Sequence, residues 1–163
     1  MAHKTNAMRV LDAHGIAYIA AAYSPALHSG EEVARAIGQP PERVYKTLVA
    51  MAEPATWLLV MVPSNAELDL KRCASAVGVK RVRMATRKEA ENKTGLLAGG
   101  ISPLALLRKP FSIYLDRHAI QWETIWISAG QRGYNLQIEV TDLIAVTGAQ
   151  VIDAVGHLEP DYG

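Results

Sequence analysis

The sequence predicts an α+β fold, a single compact domain with a mixed, curved β-sheet flanked by helices, and three observations carry that expectation. Helix signals and β-prone runs alternate along the 163 residues. Two apolar runs joined by Glu53-Pro54-Ala55 require antiparallel pairing, which a purely parallel βαβ architecture lacks. Half the residues are apolar and a fifth are charged, enough apolar surface for a core and too little charge for a disordered chain. No repeat or linker divides the chain, so residues 1–163 read as one domain, with a core from about 5 to 153 and a frayed tail over 156–163.

Each element has a local cause. Thr5 is placed to cap a first helix carrying Met8, Val10 and Leu11 and stopping at Gly15. Ile16 to Tyr23 alternates as a half-buried strand and ends in Ser24-Pro25. Ser29 opens a second helix with Val33, Ala34 and Ile37 on one side and Gly38 as its stop, and Pro40-Pro41 turns the chain into Val44-Tyr45. Lys46–Ala52 and Thr56–Val62 form a hairpin. Asp69 caps a helix from Leu70 to Val77 that Gly78 ends, and Val79–Met84 reads as a short basic strand. Thr86 and Glu89 have the spacing of a capping box, with the helix running to about Asn92 and leaving through Lys93-Thr94-Gly95. Residues 95–103 hold three glycines and a proline and form a structured loop. Phe111–Leu115, Ile120–Trp122, Thr124–Ser128 and Leu136–Val140 read as strands, with a turn at Ala129–Gly133. A last helix, capped by Thr141 or Asp142, closes the chain.

Composition removes several functions. No apolar stretch approaches the roughly 20 residues that span a bilayer, so no membrane segment is expected. The N-terminus lacks the apolar block of a secretory signal, and a cytoplasmic protein is expected. Cys73 is the sole cysteine, which excludes an intramolecular disulfide and any zinc site with two thiolates. The five histidines include no i, i+4 pair, so neither a metal nor another cofactor is expected. Net charge is +1, yet residues 71–93 hold eight basic side chains against two acidic ones, leaving that segment at +6 and the remainder at −5. Such polarity suits a polyanion, or a solvated surface.

Candidate chemistry is sparse. Lys46 introduces an apolar strand, where burial would lower its pKa and a bound anion would keep it charged; otherwise it is a strand-end lysine reaching water. The glycine loop at 99–103 could turn peptide N–H groups toward an oxyanion or a phosphate, although it is neither a dinucleotide fingerprint nor a P-loop. Ser102 lacks the second glycine of a nucleophile elbow. His118 beside Asp116 reads as a surface turn histidine, the tryptophans Trp57, Trp122 and Trp126 mostly as core, and Cys73 as a small buried residue.

Four separated motifs are more specific together. Val44-Tyr45-Lys46-Thr47-Leu48, Leu68-Asp69-Leu70-Lys71, Thr94-Gly95 through Gly99-Gly100-Ile101-Ser102-Pro103-Leu104, and Ser128-Ala129-Gly130-Gln131-Arg132-Gly133 resemble the YbaK/EbsC family over about residues 5–153. That family is the freestanding relative of the editing domain of bacterial prolyl-tRNA synthetases. The resemblance implies a deacylase for mischarged aminoacyl-tRNA, with a small wrong amino acid such as cysteine or alanine on proline tRNA. It implies tRNA as partner and leaves prolyl-tRNA synthetase as a further one. Catalysis would fall to Lys46 and the loop amides of Gly100, Ile101 and Ser102. Substrate contacts would come from Tyr23, Thr47, Gly99, Pro103, Gly130, Arg132 and Gln137, and Lys71, Arg72, Lys80 and Arg81 would guide acceptor-stem phosphates. Water or a substrate thiol would be the nucleophile. Two departures stand out. Ala105 occupies a position where a glycine is common, and Gln137 stands in for the aspartate that the cysteine-editing branch carries after the Arg-Gly turn, if Tyr134-Asn135 is an insertion. The rival is a noncatalytic module binding an RNA end, a synthetase or an aminoacyl ligand; a nonspecific nucleic-acid binder is weaker still.

Overall fold

The structure is a computed structural model that describes residues 3–27 and 29–158. Its elements run in the order α1 (Asn6–Ala13), β1 (Ile19–Ala22), α2 (Gly30–Ala36), β2 (Tyr45–Ala52), β3 (Thr56–Pro63), α3 (Leu70–Val77), β4 (Val82–Met84), α4 (Arg87–Thr94), β5 (Ser112–Asp116), β6 (Thr124–Ser128), β7 (Tyr134–Glu139), α5 (Val140–Thr147) and β8 (Gln150–Ile152). The α+β class and the mixed sheet agree with the sequence reading. The mixed sheet has five strands in the order β4-β2-β3-β5-β8, antiparallel across β2–β3 and β2–β4 and parallel across β3–β5 and β5–β8. A second, antiparallel sheet of order β1-β7-β6 adds a layer that the sequence did not separate from the first.

The strands pair where their apolar pattern demands it. β3 lies in the middle of its sheet with helices or strands on both faces, and Leu58 through Val62 are wholly buried, which is why it reads as a continuous apolar run. Tyr45, Met61 and Leu115 of the large sheet meet Ile125, Ile127, Leu136 and Ile138 of the small one, together with Met8 and Leu11 of α1 and Leu143 of α5. On the opposite face of the large sheet, Cys73 and Ala74 of α3 pack against Ala50, Leu58, Val60 and Val62.

Helix starts follow their caps. Thr5, Ser29 and Thr86 each close a capping box, and the Asp69 side chain accepts the Arg72 N–H. Glu89 also takes a two-pronged ion pair from Arg83 at 2.9 Å on each prong, which ties α4 to β4.

Several expectations need correction. β1 begins at Ile19 rather than Ile16, because Ile16 and Tyr18 turn back onto the α1 core before the strand pairs with β7. Ile120–Trp122 is not a strand: Arg117–Gln121 forms a 3₁₀ turn capped by the Asp116 carboxylate. The last helix starts at Val140, before either Thr141 or Asp142, with Glu139 at its cap position and no side-chain cap bond. It does not close the chain, since β8 follows and extends the large sheet beside β5. His118 is not a surface histidine; its Nδ1 lies 2.7 Å from a carboxylate oxygen of the fully buried Asp116, which also accepts the Ala154 N–H. Trp126 is core, packed with Ala34 and Val44, whereas the partly exposed Trp57 lies beneath Arg83 and Lys93. Of the expected tail, Gly156 is buried and its N–H donates to Asp153, while residues 159–163 lie outside the described ones.

One feature of this topology makes room for a site. β4 pairs with β2 at Ala50–Ala52 and the Ala85 N–H after it donates to the Val49 carbonyl, so the stretch from Tyr45 to Leu48 has no ladder partner on that side among the described residues. The small sheet approaches the same edge through a single bridge between Val44 and Trp126. Between them the edge opens into a cavity.

Candidate functional site

The cavity has a volume of about 370 Å³. β2 forms its floor with Tyr45, Lys46, Thr47, Leu48 and Val49; α2 contributes Gly30, Glu31 and Val33; the start of α4 contributes Thr86 and Arg87; and the glycine loop contributes Ala98, Gly99 and Ile101. Tyr23, Ser64, Ser128 and Asn135 complete the wall.

Lys46 is half-buried, and burial pushes its amine below the ordinary lysine value, against an upward pull from the carboxylates of Glu67 and Glu31. The helix carrying Glu31 is pressed close to this lysine. A Cβ on Gly30 would stand 2.7 Å from Ser64 Cβ and 3.8 Å from Lys46 Cβ, so only a residue without a side chain lets α2 start here.

The glycine loop is fixed at both ends of one peptide residue. Glu91 of α4 accepts the Ala98 N–H at 2.8 Å, and Arg132 Nε donates to the Ala98 carbonyl at 2.6 Å. Beyond this clamp the N–H groups of Gly99 and Ile101 have no protein acceptor among the described residues, and both residues line the cavity. Gly100 differs, because its N–H donates to Leu97 and a Cβ there would meet the Arg132 backbone nitrogen at 2.8 Å. Gly100 is thus a packing residue that lets the loop lie on the 131–132 backbone.

The other residues singled out from the sequence divide sharply. Tyr23 and Thr47 line the cavity with Lys46, and burial pushes the Tyr23 hydroxyl up. Arg132 lies with Arg87 in a smaller adjoining recess against Ala98 and Gly99. Ser102 is wholly buried and accepts the Leu104 N–H, so its hydroxyl braces the 3₁₀ turn Pro103–Ala105 rather than facing a ligand. Pro103 is buried in that turn. Gly130 is held at φ +83° in the 129–133 turn, where a Cβ would meet Ala105 Cβ at 3.1 Å; the Ala105 methyl therefore fills space against this turn and not in the cavity. Gln137 does not line the cavity either, because its amide donates to Thr124.

The position on β7 that does line the cavity is Asn135, directly opposite Ser128 in the β6–β7 ladder. Asn135 is 4 % exposed, and its side chain makes no hydrogen bond with another described residue. Tyr134 and Asn135 are the first two residues of the regular strand β7, paired with Ala22 and Ala21 of β1. Strand alternation carried the signal: Leu136 and Ile138 face the core, so Asn135 must face away from it.

None of Lys71, Arg72, Lys80 and Arg81 lines the cavity. Arg72 is engaged by Asp69 and Asp153, the latter at 2.7 Å. Sequence reasoning gave no individual site role to Glu31, Ser64, Arg87, Ser128 or Asn135; Arg87 stood only within the basic stretch and Ser128 only at the head of the 128–133 motif, and the fold gathers all five at the cavity.

The α+β fold that frames this cleft is shared by solved structures. One, of the hypothetical protein APE2540, is 22% identical with a TM-score of 0.84, covering 92% of this chain and 99% of that one. Another, described as a trans-editing enzyme for prolyl tRNA synthetase, is 27% identical with a TM-score of 0.80, covering 96% of this chain and all of that one. In sequence, the model of the aminoacyl-tRNA editing domain matches residues 24–146. A protein of Enterococcus faecalis named for the deacylation of Cys-tRNA(Pro) and Cys-tRNA(Cys), EbsC, is 37% identical over 149 residues, 90% of each chain. A proline–tRNA ligase of Shouchella clausii is 28% identical over 125 residues, which are 77% of this chain and 21% of the ligase. The chain belongs to the YbaK/EbsC family of aminoacyl-tRNA editing domains.

Proposed function

We propose that this protein is a trans-acting deacylase that clears a small wrong amino acid, cysteine or alanine, from proline tRNA. What supports the reading is one juxtaposition: Lys46, Gly99 and Ile101 line the same cavity, and the Gly99 and Ile101 N–H groups have no acceptor among the described residues. An aminoacyl ester is already activated, so the protein has to orient the carbonyl, neutralise the charge that grows on its oxygen and admit a nucleophile. In this reading the loop amides receive the oxyanion and Lys46 supplies the positive charge. Water, or the thiol of a misplaced cysteine, attacks the carbonyl carbon; the bond to the ribose oxygen breaks, and that oxygen takes up a proton. Arg87 and Arg132, in the recess that continues the cavity, hold the terminal phosphates. Tyr23 and the Ser128–Asn135 pair bound the space for the amino acid.

The test is a deacylation panel of cysteinyl-, alanyl- and seryl-tRNA on proline tRNA, with wild-type and Lys46→Ala protein. Turnover of at least one ester, lost in the folded variant, is expected. Tight binding of the charged RNA end without turnover of any ester would replace the enzyme with a binding module.

A further inference from the structure

We propose that Glu31 receives the α-ammonium of the bound aminoacyl group, so that the cavity selects amino-acid esters over isosteric hydroxy-acid esters. This rests on the deacylase reading and adds a specificity residue to it.

The argument begins with charge. An aminoacyl ester carries a positive α-amine and no carboxylate of its own, because that group is tied up in the ester. Two of the residues lining the cavity are cationic, Lys46 and Arg87, and both repel the amine. The wall formed by Ser128 and Asn135 is neutral. Glu31 is the one carboxylate among the described lining residues.

The carboxylate is also uncommitted. Glu31 makes neither a hydrogen bond nor an ion pair with any other described residue, unlike Glu32, which closes the α2 capping box, and Glu91, which holds Ala98. Its position is set by the close seat of Gly30 on Ser64 and Lys46, which brings the first turn of α2 to the rim of the cleft. Glu67 acts on the Lys46 amine as well, and more strongly than Glu31, yet lies outside the lining. Glu67 can therefore balance Lys46 while Glu31 faces the ligand. A charge-assisted contact of this kind corresponds to roughly ten- to a hundredfold in binding or rate.

Alanyl-tRNA(Pro) and the lactyl-tRNA(Pro) made from it by nitrous acid differ only in replacing the ammonium with a hydroxyl. Wild-type protein should cleave the alanyl ester at least about tenfold faster in kcat/KM. Glu31→Gln should bring that ratio close to one, and Glu67→Gln should leave the ratio as it was. If Glu31→Gln slows both esters equally, Glu31 acts only through Lys46 or the fold, and the proposal is overturned. Should wild type cleave neither ester, the cysteinyl and seryl arms of the panel above decide the deacylase reading, and calorimetry with 3′-alanylamido- and 3′-lactylamido-3′-deoxyadenosine decides this proposal separately. A preference for the alanyl compound that Glu31→Gln abolishes sustains it; equal binding of the two by wild type defeats it.

Discussion

The segment with the densest positive charge and the cavity with the sparsest make an instructive pair. α3 and β4 belong to a stretch with a net charge of +6, but Arg72 is held by Asp69 and Asp153, Arg83 by Glu89, and none of Lys71, Arg72, Lys80 and Arg81 reaches the cleft. The cationic residues in the described lining of the cleft are Lys46 and Arg87, the second from that same stretch, with Arg132 in the adjoining recess. Exposed charges are cheap and weakly felt in water, whereas an amine half removed from water is costly to place and strong in its effect. Counting charges along the chain therefore finds mostly surface and one cleft residue, Arg87, while desolvation marks Lys46.

The largest break of this contrast is Lys46→Ala. Loss of the one half-buried amine should lower kcat/KM by about a hundredfold or more, the scale of removing one charge-stabilising group, while circular dichroism stays unchanged. The sign of the pH dependence follows. Burial favours the neutral amine, so the charged form is lost at a pH below that of an exposed lysine, and activity should fall on the alkaline side earlier than the ordinary value near 10.5. An alkaline limb indifferent to Lys46→Arg and Lys46→Ala alike would separate the amine from catalysis.

Next in size is the loop. In Gly100→Ala the new Cβ would lie 2.8 Å from the Arg132 backbone nitrogen and 3.1 Å from the Gln131 carbonyl carbon, and neither backbone atom can yield as a side-chain tip does. We expect a loss of about 1–3 kcal/mol in unfolding free energy and displacement of the Gly99–Ile101 amides. Chemical denaturation measures the first, and the deacylation rate the second. A variant as stable and as active as wild type would show that the loop does not rest on that turn.

Arginines in the two regions should behave differently toward RNA. Arg87→Ala and Arg132→Ala should each weaken binding of charged tRNA and reduce the slope of log K against log salt by about one, if each neutralises a phosphate. Arg72→Ala and Lys80→Ala should leave that slope unchanged. Titrations at several salt concentrations distinguish the pairs, and the reverse pattern would restore the basic surface as the RNA path.

These outcomes bear on what a sequence can reveal. The caps at Thr5, Ser29, Asp69 and Thr86 were legible because each cap is a contact between residues three apart. The β2–β3 hairpin was legible for a related reason, since its partners adjoin in the chain. β8 was not, because Gln150–Ile152 is strand only through its parallel neighbour β5, whose stabilising contact is distant in sequence. Lys46 and Gly99 were singled out as a lysine leading an apolar strand and a glycine-rich loop, and given roles through a family pattern, but their shared cavity depends on β4 stopping short along β2. Asn135 was within reach of strand alternation, since it shares a face of β7 with Gln137, which was singled out and does not line the cavity. Glu31 had no local mark at all, since an exposed glutamate in a first helical turn is ordinary.

The smallest predicted effect tests whether part of the basic segment is structural. Arg83 and the Thr86 N–H hold the Glu89 carboxyl at about 2, below its ordinary 4.5. Between those values the unfolded chain takes up a proton that the folded protein refuses, so the contribution of this pair is complete above pH 4.5 and fades as pH falls toward 2. Glu89→Gln keeps the cap geometry and removes the titration. Melting temperatures from pH 6 to pH 2 should therefore fall less steeply for the variant than for wild type, the gap between the two curves staying constant above about pH 4.5 and narrowing below it. Parallel curves would mean that Arg83 is a free surface cation after all, available to an RNA backbone like its neighbours, and the division between structural and ligand-facing charge would have to be redrawn to include β4.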